Sequence, residues 1–490
     1  MDEQDGKITH FASEPQDATM YLDNSYARLP EGFHATVVTD VAAAPSLLAW
    51  NDDLAVELGL DALAGDEAEL ARTFSGASRP AGMQPIALAY AGHQFGQFVP
   101  QLGDGRAALL GEVVTDAGKR YDIQLKGSGR TPYSRGGDGK SWLGPVLREY
   151  IVSEAMHHLG IPTTRALAAV ATGEAVYRET AMPGAVFTRV ASSHLRVGTF
   201  EYFAARRNID ALRTLAEYAM DRHHPEAKSH EAPYVEFFRY VAERQAELIA
   251  GWMAVGFIHG VMNTDNTTIS GETLDYGPAA FMDEFRFDKV FSSIDQQGRY
   301  AYANQMPIAL WNLARLAETL LLLCEDREEL EAILSEFPAY YDRSYFGLLR
   351  PKLGLTEEQH GDTELIGDWL VYLQDHALDY TLSFRDLATR IDASDPARFG
   401  EFELRWRQRV GSQGTEPAEL VALMNSVNPL FIPRNHRIEQ AISEAVAGDL
   451  TVFRDLNSVL ARPFDEQPEY AQYAKAPEPH ERVTQTFCGT

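Results

Sequence analysis

The sequence predicts an α+β protein of two lobes, a small β-rich lobe followed by a large helical lobe, behind an N-terminal extension. Three observations predict this. Residues 106–126 carry two strand patterns joined by a tight connection, "RAALLGEVV", "TDAGK" and "RYDIQLK". Two more apolar runs, "RALAAVA" and "GAVFTRVA", read as strands before residue 200. Beyond residue 200, "APYVEFFRYVAERQAELIAGWMAVG", "IALWNLARLAETLLLL" and "REELEAILSEF" all show helical periodicity. The expected divisions are 1–80 for the extension, 81–200 for the β-rich lobe and 201–490 for the helical lobe with its C-terminal tail.

Taken in order, residues 1–80 mix short helical patterns such as "APSLLAWNDDLAVELGL" with Gly and Pro breaks. In the second strand of the pair, Tyr121, Ile123 and Leu125 alternate with Asp122, Gln124 and Lys126, so Lys126 faces away from the apolar side. "GPVLREYIVSEAMHHLGIP" follows as a helix, with Pro145 at its start, Gly160 and Pro162 at its end, and Leu147, Ile151, Ala155 and Leu159 recurring every fourth residue. The chain shows no internal repeat and no low-complexity linker.

At 490 residues with 45% apolar side chains, the chain can bury a sizeable core. Its net charge of −28 argues against a nucleic-acid groove as its main surface, because binding phosphate backbones needs a basic excess. Two cysteines, Cys324 and Cys488, exclude a disulfide framework and a four-thiolate zinc site. The acidic start "MDEQDGKITHFASEPQD" is unlike a secretory or mitochondrial leader, and no apolar run is long enough to span a bilayer. The expectation is a soluble cytoplasmic protein, with neither nucleic acid nor membrane as partner.

Several stretches carry chemistry. In "QLGDGR", Gly103 and Gly105 suit a close approach of backbone amides to phosphate oxygens, although Gly-Asp-Gly is also an ordinary turn. Lys126 ends a strand roughly twenty residues on, the spacing of a phosphate-pairing lysine. The next helix offers two ion-pair partners for it, Glu149 and Glu154. Between strand and helix, "KGSGRTPYSRGGDGKS" holds five glycines, two arginines and two lysines, more flexibility and positive charge than a mere connection needs. Arg189 and Arg196 in "FTRVASSHLRVG" can supply guanidinium forks to phosphate oxygens.

The strongest local signal is "HGVMNTDNTTISGETLDYGP", residues 259–278. Asp265, Asn266 and Asp275 are hard oxygen donors or acceptors of the kind a magnesium ion takes beside a triphosphate. The stretch resembles the catalytic loop of a protein kinase: His259 is followed seven residues later by Asn266, and Asp275-Tyr276-Gly277 stands for Asp-Phe-Gly. The position of the kinase's catalytic Asp is Val261. His259 reads as a core histidine, and His157-His158 and His223-His224 lack zinc partners in the sequence.

Together, "GHQFGQFVPQLGDGR", "LKGSGRTPYSRGGDG", "LREYIVSEAMHHLGIPTTRAL", "SSHLRVGTFEYF" and "GFIHGVMNTDNTTISGETLDYGP" resemble the selenoprotein O family of kinase-like protein adenylyltransferases. The match covers most of residues 85–310, with a weaker echo at "NPLFIPRNHRIEQAI". The resemblance implies a protein-kinase-like two-lobed fold that binds ATP in a flipped orientation and transfers AMP to Ser, Thr or Tyr hydroxyls of proteins, itself included. It implies that Gly103, Gly105, Arg106, Lys126, Asp138 and Gly139 contact the nucleotide, and that Lys126 pairs with Glu149. It further implies that Arg189 and Arg196 hold the outer phosphates, that Asp265 accepts the proton, and that Asn266 and Asp275 bind magnesium or manganese.

The family takes its name from a C-terminal selenocysteine; here Cys488 stands third from the end, in a polar tail expected to sample many conformations. Some relatives use this position in a redox-sensitive disulfide, but "KVFSSIDQQGRY" contains no cysteine and Cys324 reads as core. Two other activities fit the same residues: transfer of UMP from UTP, and phosphoryl transfer with Asp265 as the base. A catalytically dead nucleotide-binding scaffold is the reading from another class, against which Lys126, Asn266 and Asp275 speak.

Overall fold

The computed structural model describes residues 20–79 and 83–487. Its strands are β1 (His34–Thr36), β2 (Ser46–Trp50), β3 (Ile86–Leu88), β4 (Gly92–Gln94), β5 (Gln97–Val99), β6 (Ala107–Val114), β7 (Arg120–Lys126), β8 (Ser141–Trp142), β9 (Arg165–Tyr177) and β10 (Ala181–Ala191). Two short ones, β11 (Phe257–Ile258) and β12 (Ala280–Phe281), bracket the 259–278 stretch. The first helices are α1 (Asp52–Leu58), α2 (Glu67–Phe74), α3 (Leu143–His158), α4 (Val197–Ala205), α5 (Ile209–His223), α6 (Pro233–Ala254), α7 (Gln305–Leu320) and α8 (Arg327–Lys352). Beyond them come α9 (Asp362–Asp375), α10 (Tyr380–Ala388), α11 (Gly400–Gly411), α12 (Pro417–Val427), α13 (Asn435–Val446) and α14 (Thr451–Leu460). The fold is α+β, with its main sheet formed before residue 192 and helices dominating from α4 onward.

The sheet is antiparallel in the order β1-β3-β6-β7-β10-β9-β2, with β8 also pairing β10. Both strand pairs read in the sequence form, as the β6–β7 and β9–β10 hairpins. One expectation fails. In "APSLLAWNDDLAVELGL", Ser46–Trp50 is a strand on β9 and only Asp52–Leu58 is helical. Edge pairing with the long β9 overrides the local pattern, and Asn51 fixes where the helix starts by accepting a bond from the Leu54 amide at 3.0 Å.

The alternation along β7 decides what the sheet does. Ile123 and Leu125 pack beneath α1 and α2, against Leu54, Leu58, Leu70 and Phe74. The opposite face carries Asp122, Gln124 and Lys126, and all three are buried as well. Buried polar groups need partners, so this face is an interior polar site rather than a wet surface. α3 crosses it, bringing Glu149, while α13 and α14 pack behind α3.

Among the described residues no helix is long and apolar enough to cross a membrane. In the helical region, Lys352 at the end of α8 is 4% exposed, and its Nζ lies 4.7 Å from the centre of the Phe384 ring. Among the described residues its ammonium has no carboxylate within ion-pair distance, and burial pushes its pKa down to about 7.

Candidate active site

β7 ends on Lys126, and the ammonium is shared between two carboxylates: Glu149 Oε2 of α3 at 2.5 Å and Asp275 Oδ1 at 2.9 Å. Glu154, the other glutamate considered from sequence, lies further along the same helix and is taken by Arg165 and the Asn51 amide. Arg189 faces Gln124 across the β7–β10 ladder, donates to its Oε1 at 2.6 Å, and reaches Glu149 Oε1 at 3.3 Å. The cluster is therefore Lys126, Glu149, Arg189, Gln124 and Asp275, drawn from two adjacent strands, one helix and one loop.

Asp275 adopts φ 69°, a left-handed conformation that costs a non-glycine residue of order 1 kcal/mol and is enriched at functional sites. Burial alone raises its pKa, but the charges of Lys126, Arg106 and Arg189 more than reverse this and hold it far below the usual carboxylate range. Next to it, the buried Tyr276 hydroxyl bonds the Thr163 hydroxyl. His259 is a core residue: it is fully buried, stacks on Trp252, and its Nε2 bonds the Leu274 carbonyl. It thereby pins the backbone that leads into Asp275.

Asp265 sits in a short 3-10 turn, Thr264–Asn266, and is 9% exposed. Its Oδ2 accepts a hydrogen bond from Gln94 Nε2 at 3.1 Å, while Oδ1 has no partner among the described residues. Burial pushes its pKa up to about 6. Asn266 donates to the backbone carbonyl of Val261 at 3.0 Å, so position 261 contributes its main chain to the loop. Asp265 and Asp275 are near enough for the charge of Asp275 to act on Asp265, but among the described residues no group of three or more His, Cys, Asp or Glu side chains is gathered as a metal site. The side-chain oxygens of Asn266 and Asp275 are of the hard type that suits magnesium or manganese rather than zinc.

The remaining residues singled out from sequence make other contacts. Arg196 is buried, stacks over the Tyr90 ring at 4.3 Å and has Asp104 Oδ1 at 3.5 Å. Gly103 and Gly105 pack against Tyr133: a Cβ on Gly103 would lie 2.4 Å from its ring, and one on Gly105 2.9 Å from its carbonyl. The Gly-rich 127–139 loop is thus folded onto the Gly-Asp-Gly turn. Asp138 is held by Arg178 at 2.8 Å, and Gly139 closes against Gly129. Neither lines the cavity beside Lys126.

That cavity, about 300 Å³, is lined by Arg106, Lys126, Trp142, Glu149 and Asp275 and, unexpectedly, by residues 483 and 485–487 of the tail. The expectation of a tail sampling many conformations is corrected here. The Thr486 hydroxyl donates to the Pro278 carbonyl at 2.5 Å, its amide to Phe291 O at 2.8 Å, and its carbonyl accepts from the Ser293 amide at 3.1 Å. Three hydrogen bonds to the segment after Asp275-Tyr276-Gly277 fix this stretch. Cys488 lies outside the described residues; Cys324 is a half-buried free thiol just past the end of α7.

Sequence reasoning missed Gln94, Gln124, Asp104 and the tail. Gln124 carried a readable signal, since a residue two before Lys126 on a strand shares its face. Gln94 carried none, because its partner is 171 residues away.

The chain also matches known proteins over nearly its whole length. The family model described as Protein adenylyltransferase SelO matches residues 18–461. A protein nucleotidyltransferase YdiU of Bradyrhizobium diazoefficiens is 56% identical over 485 residues, covering 96% of this chain and 99% of its own. Proteins of the same name from Rhodopseudomonas palustris and Agrobacterium fabrum are 56% and 55% identical, each aligned over 96% of this chain and over 99% and 100% of their own. With the match running from before β1 to the end of α14, the chain belongs to the SelO family of protein adenylyltransferases.

Proposed function

We propose that this protein transfers AMP from ATP to Ser, Thr or Tyr hydroxyls of proteins, its own included, releasing pyrophosphate. The frame is a protein-kinase-like pair of lobes, 81–200 and 201–490, with 1–80 as an extension that adds strands to the first. The nucleotide lies reversed between them. The observation that carries the reading is the exchange at the catalytic loop. Val261 occupies the position of a kinase base, while a buried carboxylate with an unpartnered oxygen, Asp265, stands four residues on.

In this reading Arg189 and Arg196 hold the outer phosphates, which become the leaving group. Lys126, oriented by Glu149, neutralises charge along the triphosphate, and Gly103, Gly105, Arg106, Asp138 and Gly139 contact the nucleotide. When bound, magnesium or manganese supplies further neutralisation of the phosphate oxygens, and Asn266 and Asp275 would hold it. The acceptor oxygen forms a bond to the α-phosphorus as the bond from that phosphorus to the bridging oxygen breaks, and the Asp265 carboxylate takes the hydroxyl proton. A carboxyl pushed up to about 6 is ionised at neutral pH yet more basic than an ordinary aspartate. Base assistance contributes typically ~10²–10⁴-fold, and preorganised positive charge around the phosphates accelerates the reaction by more than that.

The experiment is isotopic. Label from α-phosphate-labelled ATP should enter protein in the presence of magnesium or manganese, and label from γ-phosphate should not. The reverse pattern would make the protein a kinase using Asp265 as its base. Stronger incorporation from α-labelled UTP would make it a uridylyltransferase, since both nucleotides share the triphosphate chemistry described above.

A further inference from the structure

The β4–β5 hairpin lies far in sequence from the 259–278 loop yet grips it at three consecutive positions. The His93 amide donates to the Thr264 hydroxyl at 2.7 Å, and that hydroxyl donates to Glu201, which also receives His93 Nδ1 at 2.5 Å. The Phe95 amide donates to Asn263 Oδ1 at 3.1 Å, an oxygen that also accepts from the Tyr300 hydroxyl at 2.6 Å. Phe95 adopts φ 52° to make that contact, a strained conformation outside glycine. Between these two staples, the Gln94 side chain donates to Asp265 Oδ2. At Gly92 a Cβ would stand 2.8 Å from Asp265 Oδ1, so the hairpin approaches the carboxylate as closely as a bare backbone permits.

We propose that Gln94 is a positioning residue for the proposed base: its amide holds Oδ2 of Asp265 while Oδ1 lies enclosed against the Gly92 backbone, so that the plane of the carboxylate is fixed for its encounter with the acceptor hydroxyl. Without that bond the carboxylate is free to turn about its own side-chain torsion, whose energy well is broad, and its plane is no longer set. The staples at 93 and 95 fix the hairpin backbone, which leaves orientation of the carboxylate to the residue between them. The inference rests on Asp265 being the base. It needs neither nucleotide contact from Gln94 nor any role for it in the chemical step.

The test compares Gln94→Ala, Gln94→Glu and Asp265→Asn in the full chain, reading incorporation of α-labelled AMP. Gln94→Glu is nearly isosteric but has no N–H to give and sets a second carboxylate against the first. Both Gln94 variants should lose roughly 10–10²-fold in kcat, the scale of an ångström-level misplacement. KM for ATP should stay at the wild-type value in both, and Gln94→Ala should lower the unfolding midpoint by no more than one hydrogen bond's worth. A Gln94→Glu enzyme with wild-type kcat would overturn the proposal, whether Gln94→Ala is impaired, in which case the side chain only fills space, or not. A rise in KM for ATP with kcat unchanged would also overturn it, by making Gln94 a nucleotide contact. If Asp265→Asn keeps full activity, the base assignment itself falls. Asp265→Asn inactive with Gln94→Glu active sinks the positioning role alone.

Discussion

Replacing Lys352 by methionine should stabilise the protein at neutral pH. The ammonium is buried with no carboxylate partner among the described residues, and its pKa falls from 10.5 to about 7. At ~1.36 kcal/mol per pKa unit, the folded state gives up about 5 kcal/mol relative to the unfolded chain at pH values below 7. The sign follows from proton counts. Between pH 7 and 10.5 the unfolded chain holds the proton more tightly, so this cost is fully present below 7 and fades as pH rises towards 10.5. Methionine fills nearly the same volume and needs no solvation, so Lys352→Met should gain about 4 kcal/mol at pH 7. The gain should shrink by about 1.4 kcal/mol for each pH unit above that. Urea unfolding of both proteins at pH 7, 8 and 9 measures the difference directly, with other groups cancelling between them. A variant no more stable than wild type at pH 7, or a difference that does not change with pH, would refute the reasoning and point to an ammonium already stabilised through the cation–π contact with Phe384.

Two further expectations concern the candidate site. Asp275→Ala should cut nucleotidyl transfer by roughly 10²-fold or more, because it removes the carboxylate that faces the proposed cation; far-UV circular dichroism should stay that of wild type while the unfolding midpoint falls, since Lys126 loses one of its two carboxylate partners. Thr486→Val keeps the side-chain shape but removes the bond to the Pro278 carbonyl. A hydrogen bond is worth about 0.5–1.5 kcal/mol, so KM for ATP should rise roughly 2- to 10-fold with kcat unchanged, as steady-state kinetics at saturating protein acceptor would read.

How much of this was legible beforehand depends on the reach of each interaction. The β6–β7 pair, α3 and the later helices were readable because alternation and four-residue periodicity are local. Lys126 on the face opposite Ile123 and Leu125 followed from the same alternation. Its partner did not, because Glu149 and Glu154 lie five residues apart on one helix and only the way α3 crosses the sheet separates them. Ser46–Trp50 was misread because its partner strand lies more than a hundred residues on, and edge pairing outweighs a weak local pattern. The roles of Gln94 and Thr486 went unread for the same reason in stronger form: Gln94 ends the short strand β4 and Thr486 lies in the tail, and each takes its meaning from a distant loop.

The separations involved have a consequence in time. Lys126 and Glu149 are 23 residues apart and can pair while the chain is still being made, but Lys126 meets Asp275 only 149 residues on, and Thr486 meets Pro278 across a further 208. At ~5–20 residues per second, roughly 10–40 s pass between synthesis of Asp275 and of Thr486. During that interval every residue of the charged cluster has been made, while α13 and α14, which pack behind α3, and the tail that walls the cavity are still to come. On the proposed function, the nucleotide pocket is therefore complete only when synthesis reaches the tail.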